Sequence, residues 1–71
     1  MRKYRLIDYA KPLTGNAVEH KDRVIIEWHD YTLEIFEKHS VFLSYMHRRK
    51  IDIQVIPNYS AVNFKKLEAK L

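Results

Sequence analysis

Seventy-one residues, 46% of them hydrophobic and 31% charged, are one domain's worth of chain, taken as a single domain over residues 1–71. Five Tyr, three Phe and one Trp exclude a disordered composition, and the absence of Cys excludes a disulfide framework, a thiolate zinc site and a cysteine nucleophile. No apolar run approaches the roughly 18 residues that span a bilayer. The opening Met1-Arg2-Lys3-Tyr4-Arg5 lacks the apolar stretch of a signal peptide, so a soluble cytoplasmic domain is expected.

Size also bears on function. A chain this short buries only about 60% of the surface it exposes when unfolded, so its apolar residues are needed for the core. A ligand pocket of roughly 300–1,000 Å³ uses interior volume that so small a core can hardly spare. A non-enzymatic protein without cofactor is therefore expected. Stability rests on packing, to which a homodimer would add.

Arg2–Tyr9 alternates, with Tyr4 and Leu6 on one side and Arg5 and Ile7 on the other, which predicts an edge strand. Pro12 and Thr14-Gly15-Asn16 then break the chain, and Gly15, free to take positive φ, marks the sharpest turn. The β-branched and aromatic run Arg23–Trp28 predicts a central strand. Ile51–Ile56 alternates cleanly and is stopped by Pro57.

Two readings compete for Asp30–Arg49. At about 100° per residue, Tyr31, Ile35, Phe42 and Met46 share one helical face, which Phe36, His39 and Leu43 extend. Asp30 would cap that helix, and Arg48-Arg49-Lys50 suits its C-terminus. The rival splits the stretch into strands Thr32–Phe36 and Val41–Met46. Tight hairpins want Gly or Asn, which the stretch lacks, so the helix is adopted. Ser60 then caps a short helix to Leu71 with a Phe64/Leu67/Leu71 stripe. The expected fold is an α+β sandwich in the order β-β-α-β-α, with both helices on one face of a small sheet. The alternative is an all-β meander or barrel with a C-terminal helix.

The net charge of +4 is unevenly spread. Residues 1–35 carry six Lys or Arg and six Asp or Glu, whereas residues 36–71 carry seven and three. The excess centres on Arg48, Arg49 and Lys50, followed by Lys65, Lys66 and Lys70. Such a patch attracts a phosphate backbone, and Tyr9, Tyr45 or Tyr59 nearby could stack on unpaired bases. These six residues are the candidate nucleic-acid contacts of a small basic accessory or regulatory protein. The alternative is a protein-interaction module, an inhibitor or adaptor of the kind phages and mobile elements encode, binding a protein partner through an aromatic patch or the Arg2–Tyr9 edge. No membrane partner is expected.

Other constellations are weaker. His20, His29, His39 and His47 have no i,i+4 pair for a helical metal site. His39 reads as a core histidine, and His47 borders three cations that would suit it to be a general base. Glu27, His29 and Asp30 could hold a divalent ion with Asp8, although Asp30 as a helix cap is the simpler reading, so no metal site is assigned. No Gly-rich phosphate loop or serine elbow is present. Lys38-His39-Ser40, Ile51-Asp52-Ile53-Gln54-Val55 and Phe64-Lys65-Lys66-Leu67 faintly resemble small double-stranded-RNA-binding-like mRNA interferase toxins over less than half the chain. Lys38 stands where that family has Gly before its catalytic His, and the likeness needs residues 41–46 to be a strand. No family is assigned on it.

Overall fold

Side chains of the first 36 residues alternate between two faces while the chain reverses at three turns. The computed structural model describes residues 1–57 and 64–71. Strands β1 (Arg2–Asp8), β2 (Leu13–His20), β3 (Arg23–Trp28) and β4 (Leu33–Phe36) form an antiparallel meander. Helix α1 (His39–Arg48) carries the chain back across the sheet, so that β5 (Asp52–Ile56) pairs antiparallel with β1. A four-residue helix, α2 (Lys65–Glu68), follows. The result is an α+β domain whose open sheet has the order β4-β3-β2-β1-β5.

Register assigns each side chain to a face. Tyr4, Ala17 and Ile26 are cross-strand neighbours, as are Leu6, Gly15 and Trp28. With Val24 they form the face that receives Phe42 and Met46 of α1. Phe42, Met46, Leu6 and Ile26 are fully buried, each worth about 1.5–3 kcal/mol of transfer free energy. The intervening Val18 and Ile25 point the other way, where Phe64 and Leu67 cover them beside Ile56 and Leu71. The two helices thus lie on opposite faces, not on the shared face expected. Val18, Ile25 and Ile56 make the second face apolar enough to need a cover of its own.

Three further expectations are corrected. First, β1 is no edge; it lies between β2 and β5. Its charged side chains are accommodated because Lys3 reaches Glu68 at 3.5 Å and lies 5.8 Å from the Phe64 ring centroid, keeping its stem over apolar surface. Second, Gly15 makes no turn. It sits inside β2, and a Cβ there would stand 2.7 Å from the Trp28 ring. Close approach, not positive φ, demands glycine. The hairpin turn falls instead at Lys21 and Asp22, with φ of 49° and 70°, the left-handed pair that a two-residue connection requires.

Third, Asp30–Arg49 is neither one helix nor two strands. Tyr31, at φ 69°, turns the chain, and its N–H donates to the Trp28 carbonyl at 2.8 Å. Asp30 Oδ1 accepts the Thr32 N–H at 3.0 Å, so this carboxylate closes a turn rather than capping a helix. Strand β4 follows, and α1 starts only at His39, behind Lys38, whose side chain makes no capping bond. The order is therefore β-β-β-β-α-β-α. At its far end α1 closes with the Lys50 N–H on the His47 carbonyl (3.0 Å) and the Ile51 N–H on Met46 (2.9 Å). That is a Schellman cap with Lys50, φ 57°, where glycine is favoured. The inward turn of Phe64 and Leu67 agrees with the expected stripe, but the helix spans only Lys65–Glu68 behind a non-helical Phe64 and stops short of Leu71. Tyr59 and Ser60 lie outside the described residues.

Two acids are buried, Asp8 at the first turn and Glu19 beside the core. Glu19, 7% exposed, accepts the Tyr4 hydroxyl on Oε1 at 2.5 Å, and its Oε2 lies 2.7 Å from His39 Nδ1. Burial, then the bond to Glu19, pushes the Tyr4 phenol up to about 12.

Gly15→Ala should lower unfolding stability by about 1–3 kcal/mol, because neither the Trp28 ring nor the neighbouring strand can yield easily. Lys50→Gly should raise it by about 1 kcal/mol through relief of the left-handed cap. Denaturant melts of both variants check these opposite signs.

Candidate nucleic-acid interface

Antiparallel topology gathers three connections at one end of the sheet: residues 9–12 after β1, 29–32 after β3 and 49–51 after α1. Their exposed side chains include Tyr9, Lys11, Tyr31 and Lys50, with Arg48 from the last turn of α1 beside them. Among the described residues Tyr31 is the most exposed of the large apolar side chains, at 85%. Both Tyr31 and Lys50 hold positive φ, a geometry that costs an L-residue about 1–2 kcal/mol. Neither side chain regains that by burial, and strained residues in water are candidates for function. Asp30 and Asp52 are exposed acids at the same end, so attraction for an anion depends on direct contacts rather than on a strong field.

Beneath this rim lies a cleft of about 200 Å³ lined by Lys11, Leu13, Trp28, Asp30, Glu34 and Arg49. Glu34 fastens it. One carboxylate oxygen accepts the Trp28 indole N–H at 2.6 Å, and the other accepts Arg49 Nη1 at 2.7 Å. The Arg49 guanidinium carbon also stands 5.8 Å from the Trp28 ring centroid. Burial by itself would raise the Glu34 carboxyl, but Arg49 and the indole N–H outweigh it and hold the group below its ordinary range. Arg49 is thus a brace between α1 and the sheet. Reversing its charge would set a second carboxylate against Glu34.

The six candidate contacts consequently fall into separate groups. Arg48 is exposed and lies 5.3 Å over the Tyr45 ring. Phe36 lies 5.4 Å from the same ring, so Tyr45 already has ring and guanidinium neighbours. Lys50 is exposed at the cap, and Arg49 is committed to Glu34. Lys65 and Lys66 of α2, and Lys70 just beyond it, belong to the element on the opposite face. Side chains adjacent in a charge plot are not adjacent in space. Lys11 and Tyr31 joined the rim unannounced. Lys11 lies remote in sequence from the basic half, and Tyr31 sat on the apolar face of a helix that does not form.

The remaining constellations are used elsewhere. Glu27 pairs with Asn16, on the other face from Trp28, and His29 Nδ1 is 2.9 Å from the Thr14 hydroxyl. Asp8 is buried and accepts the N–H groups of Ala10 and Lys11, which shapes the first turn. Among the described residues no group of three His, Asp or Glu is placed to hold a metal ion. Residues 41–46 belong to α1, so the strand needed for the toxin likeness is not formed.

Neither a protein-family model, nor a curated protein, nor a solved structure matches this chain. Among the described residues no helix is long and apolar enough to cross a membrane.

A depressed carboxyl stabilises the fold above its unfolded pKa, and the contribution fades as pH falls through the folded one. Wild type should therefore exceed Glu34→Gln in thermal stability at neutral pH. The gap should narrow below about pH 4, under the ordinary carboxylate range. Melting curves across that range check it; a gap independent of pH would contradict the brace.

Proposed function

We propose that this chain is a small, non-enzymatic nucleic-acid-binding protein of the cytoplasm, accessory or regulatory in role. Its contacts are Arg48, Lys50 and Lys11, with Tyr9 and Tyr31 as stacking platforms for unpaired bases. The observation that carries the reading is the pair Tyr31 and Lys50, both held at positive φ with their side chains in water, at the end of the sheet shared with Arg48 and Lys11. A backbone optimised for stability alone would place glycine or asparagine there. Aromatic and cationic side chains presented together suit a single strand, whose bases are free to stack. Lys65, Lys66 and Lys70 serve at most as remote auxiliaries, because α2 covers the other face.

A second reading rests on a different surface. The groove between edge strand β4 and α1, about 460 Å³, is lined by Ile35, Phe36, Val41 and Tyr45 and bordered by Glu34 and Glu37. It suits a protein partner that adds a strand to β4, with the rim of turns playing no part.

Fluorescence anisotropy with a labelled single-stranded oligonucleotide tests the first reading. Neutralising three phosphates should make affinity fall about 20-fold between 50 and 200 mM salt. Arg48→Glu with Lys50→Glu should abolish binding, Tyr31→Ala should weaken it by about 1–3 kcal/mol, and Lys66→Glu with Lys70→Glu should leave most of it. Absence of binding at low salt, or an undiminished double variant at the rim, would overturn the assignment.

A further inference from the structure

The opposite end of the sheet holds a second constellation, which the rim of turns does not use. Cross-strand pairing sets Arg2 beside Glu19, the β2–β3 turn brings Lys21 and Asp22, and α1 begins there with His39. Together with His20 these side chains line a cleft of about 330 Å³. A pocket of that size, at the small end for ligand sites, suits one compact charged group.

Its floor is fixed rather than fluid. Both oxygens of Glu19 are turned to neighbours, Oε1 to the Tyr4 hydroxyl and Oε2 to His39 Nδ1. The carboxylate charge is therefore largely spent within the protein. His39 Nδ1 is the buried edge of the ring, while the side chain keeps 29% exposure on the cleft. Nδ1 lies 2.7 Å from Glu19 Oε2 without the alignment of a hydrogen bond, so the contact is ionic and requires the protonated ring. The Nε2–H across that ring is then left to donate to a ligand. The lip carries Arg2 and Lys21, with Asp22 as the open acid among the lining residues. Lys21 is held there by the left-handed turn, φ 49°. The first turn of α1 has no acidic residue and no side-chain cap, so the positive end of the helix dipole is left unopposed by a carboxylate of its own.

We propose that this cleft binds a phosphate group, with Arg2 and Lys21 supplying charge and the His39 imidazolium, paired with Glu19, donating a hydrogen bond from Nε2. The phosphate belongs either to a free nucleotide or to the backbone of a polynucleotide. Asp22 opposes it from the lip and so sets a ceiling on affinity. The site stands apart from the proposed rim, at the other end of the strands, and either can exist without the other.

Amide and histidine side-chain NMR spectra of the whole chain separate the sources. Inorganic phosphate, a 5′-mononucleotide and an oligonucleotide lacking terminal phosphates are titrated in turn, against sodium chloride at equal ionic strength. Saturable shifts at Lys21, Asp22 and His39 with phosphate and mononucleotide support the site and name a free phosphate as its ligand. The same shifts with the oligonucleotide alone support it and name the backbone. Lys21→Asn, which suits the left-handed turn, should weaken binding at least tenfold, and Asp22→Asn should tighten it. Shifts no larger than those from chloride, or weakened binding in Asp22→Asn with the fold intact, would overturn the proposal. Loss of oligonucleotide binding at Arg48 and Lys50 is read from other residues and leaves this outcome untouched.

Discussion

The seating of the Trp28 indole on Gly15 is the contact on which the rest of the architecture depends. A side chain at position 15 would collide with the ring, so β2 and β3 meet with a bare backbone on one side and the largest side chain on the other. The ring then has a single orientation, its N–H on Glu34, and Glu34 in turn holds Arg49. Through three residues the end of β3 is tied to edge strand β4 and to the end of α1. Buried apolar area alone is non-directional and would leave the helix free to slide. The directed bonds fix its register.

That register has a functional consequence. Once Arg49 is bound, its neighbours Arg48 and Lys50 must emerge at the sheet end where the first and third turns already present Tyr9, Lys11 and Tyr31. The same chain of contacts places the start of α1 at the other end, with His39 against Glu19. One helix laid across the sheet thus delivers cations to one end and an imidazole to the other. The sheet supplies rigidity between them, and the strained left-handed residues Lys21, Asp22, Tyr31 and Lys50 are confined to the two ends.

Parts of this were legible in the sequence. The alternation of Tyr4 and Leu6 against Arg5 and Ile7, the run at Arg23–Trp28 and the alternation of Ile51–Ile56 identified strands, because each carries large apolar side chains that pack. Of the expected inward set Ile51, Ile53 and Val55, however, the last is 71% exposed. β2 escaped notice because its inward residues, Gly15 and Ala17, are small where Trp28 and Tyr4 are large. A strand that makes room for its neighbours does not look hydrophobic. Asp30–Arg49 misled because Ile35 and Phe36 of a strand fall by chance on the helical face of Phe42 and Met46. The strand and the helix part at Glu37 and Lys38, and Tyr31 turns the chain ahead of the strand in a left-handed conformation that no Gly or Asn announced. The basic cluster was legible as composition and not as geometry. Adjacent residues 48, 49 and 50 have different fates, since Arg49 is drawn inward by an acid fifteen positions earlier.

Proton NMR of the seat tests the account most directly. An α-proton of Gly15 under the face of an indole should resonate well upfield of an ordinary glycine, and the Trp28 indole N–H, bonded to Glu34, should exchange slowly with water. Ordinary Gly15 α-proton shifts with a rapidly exchanging indole N–H would contradict the seat, and the placing of α1 and its cations would fall with it.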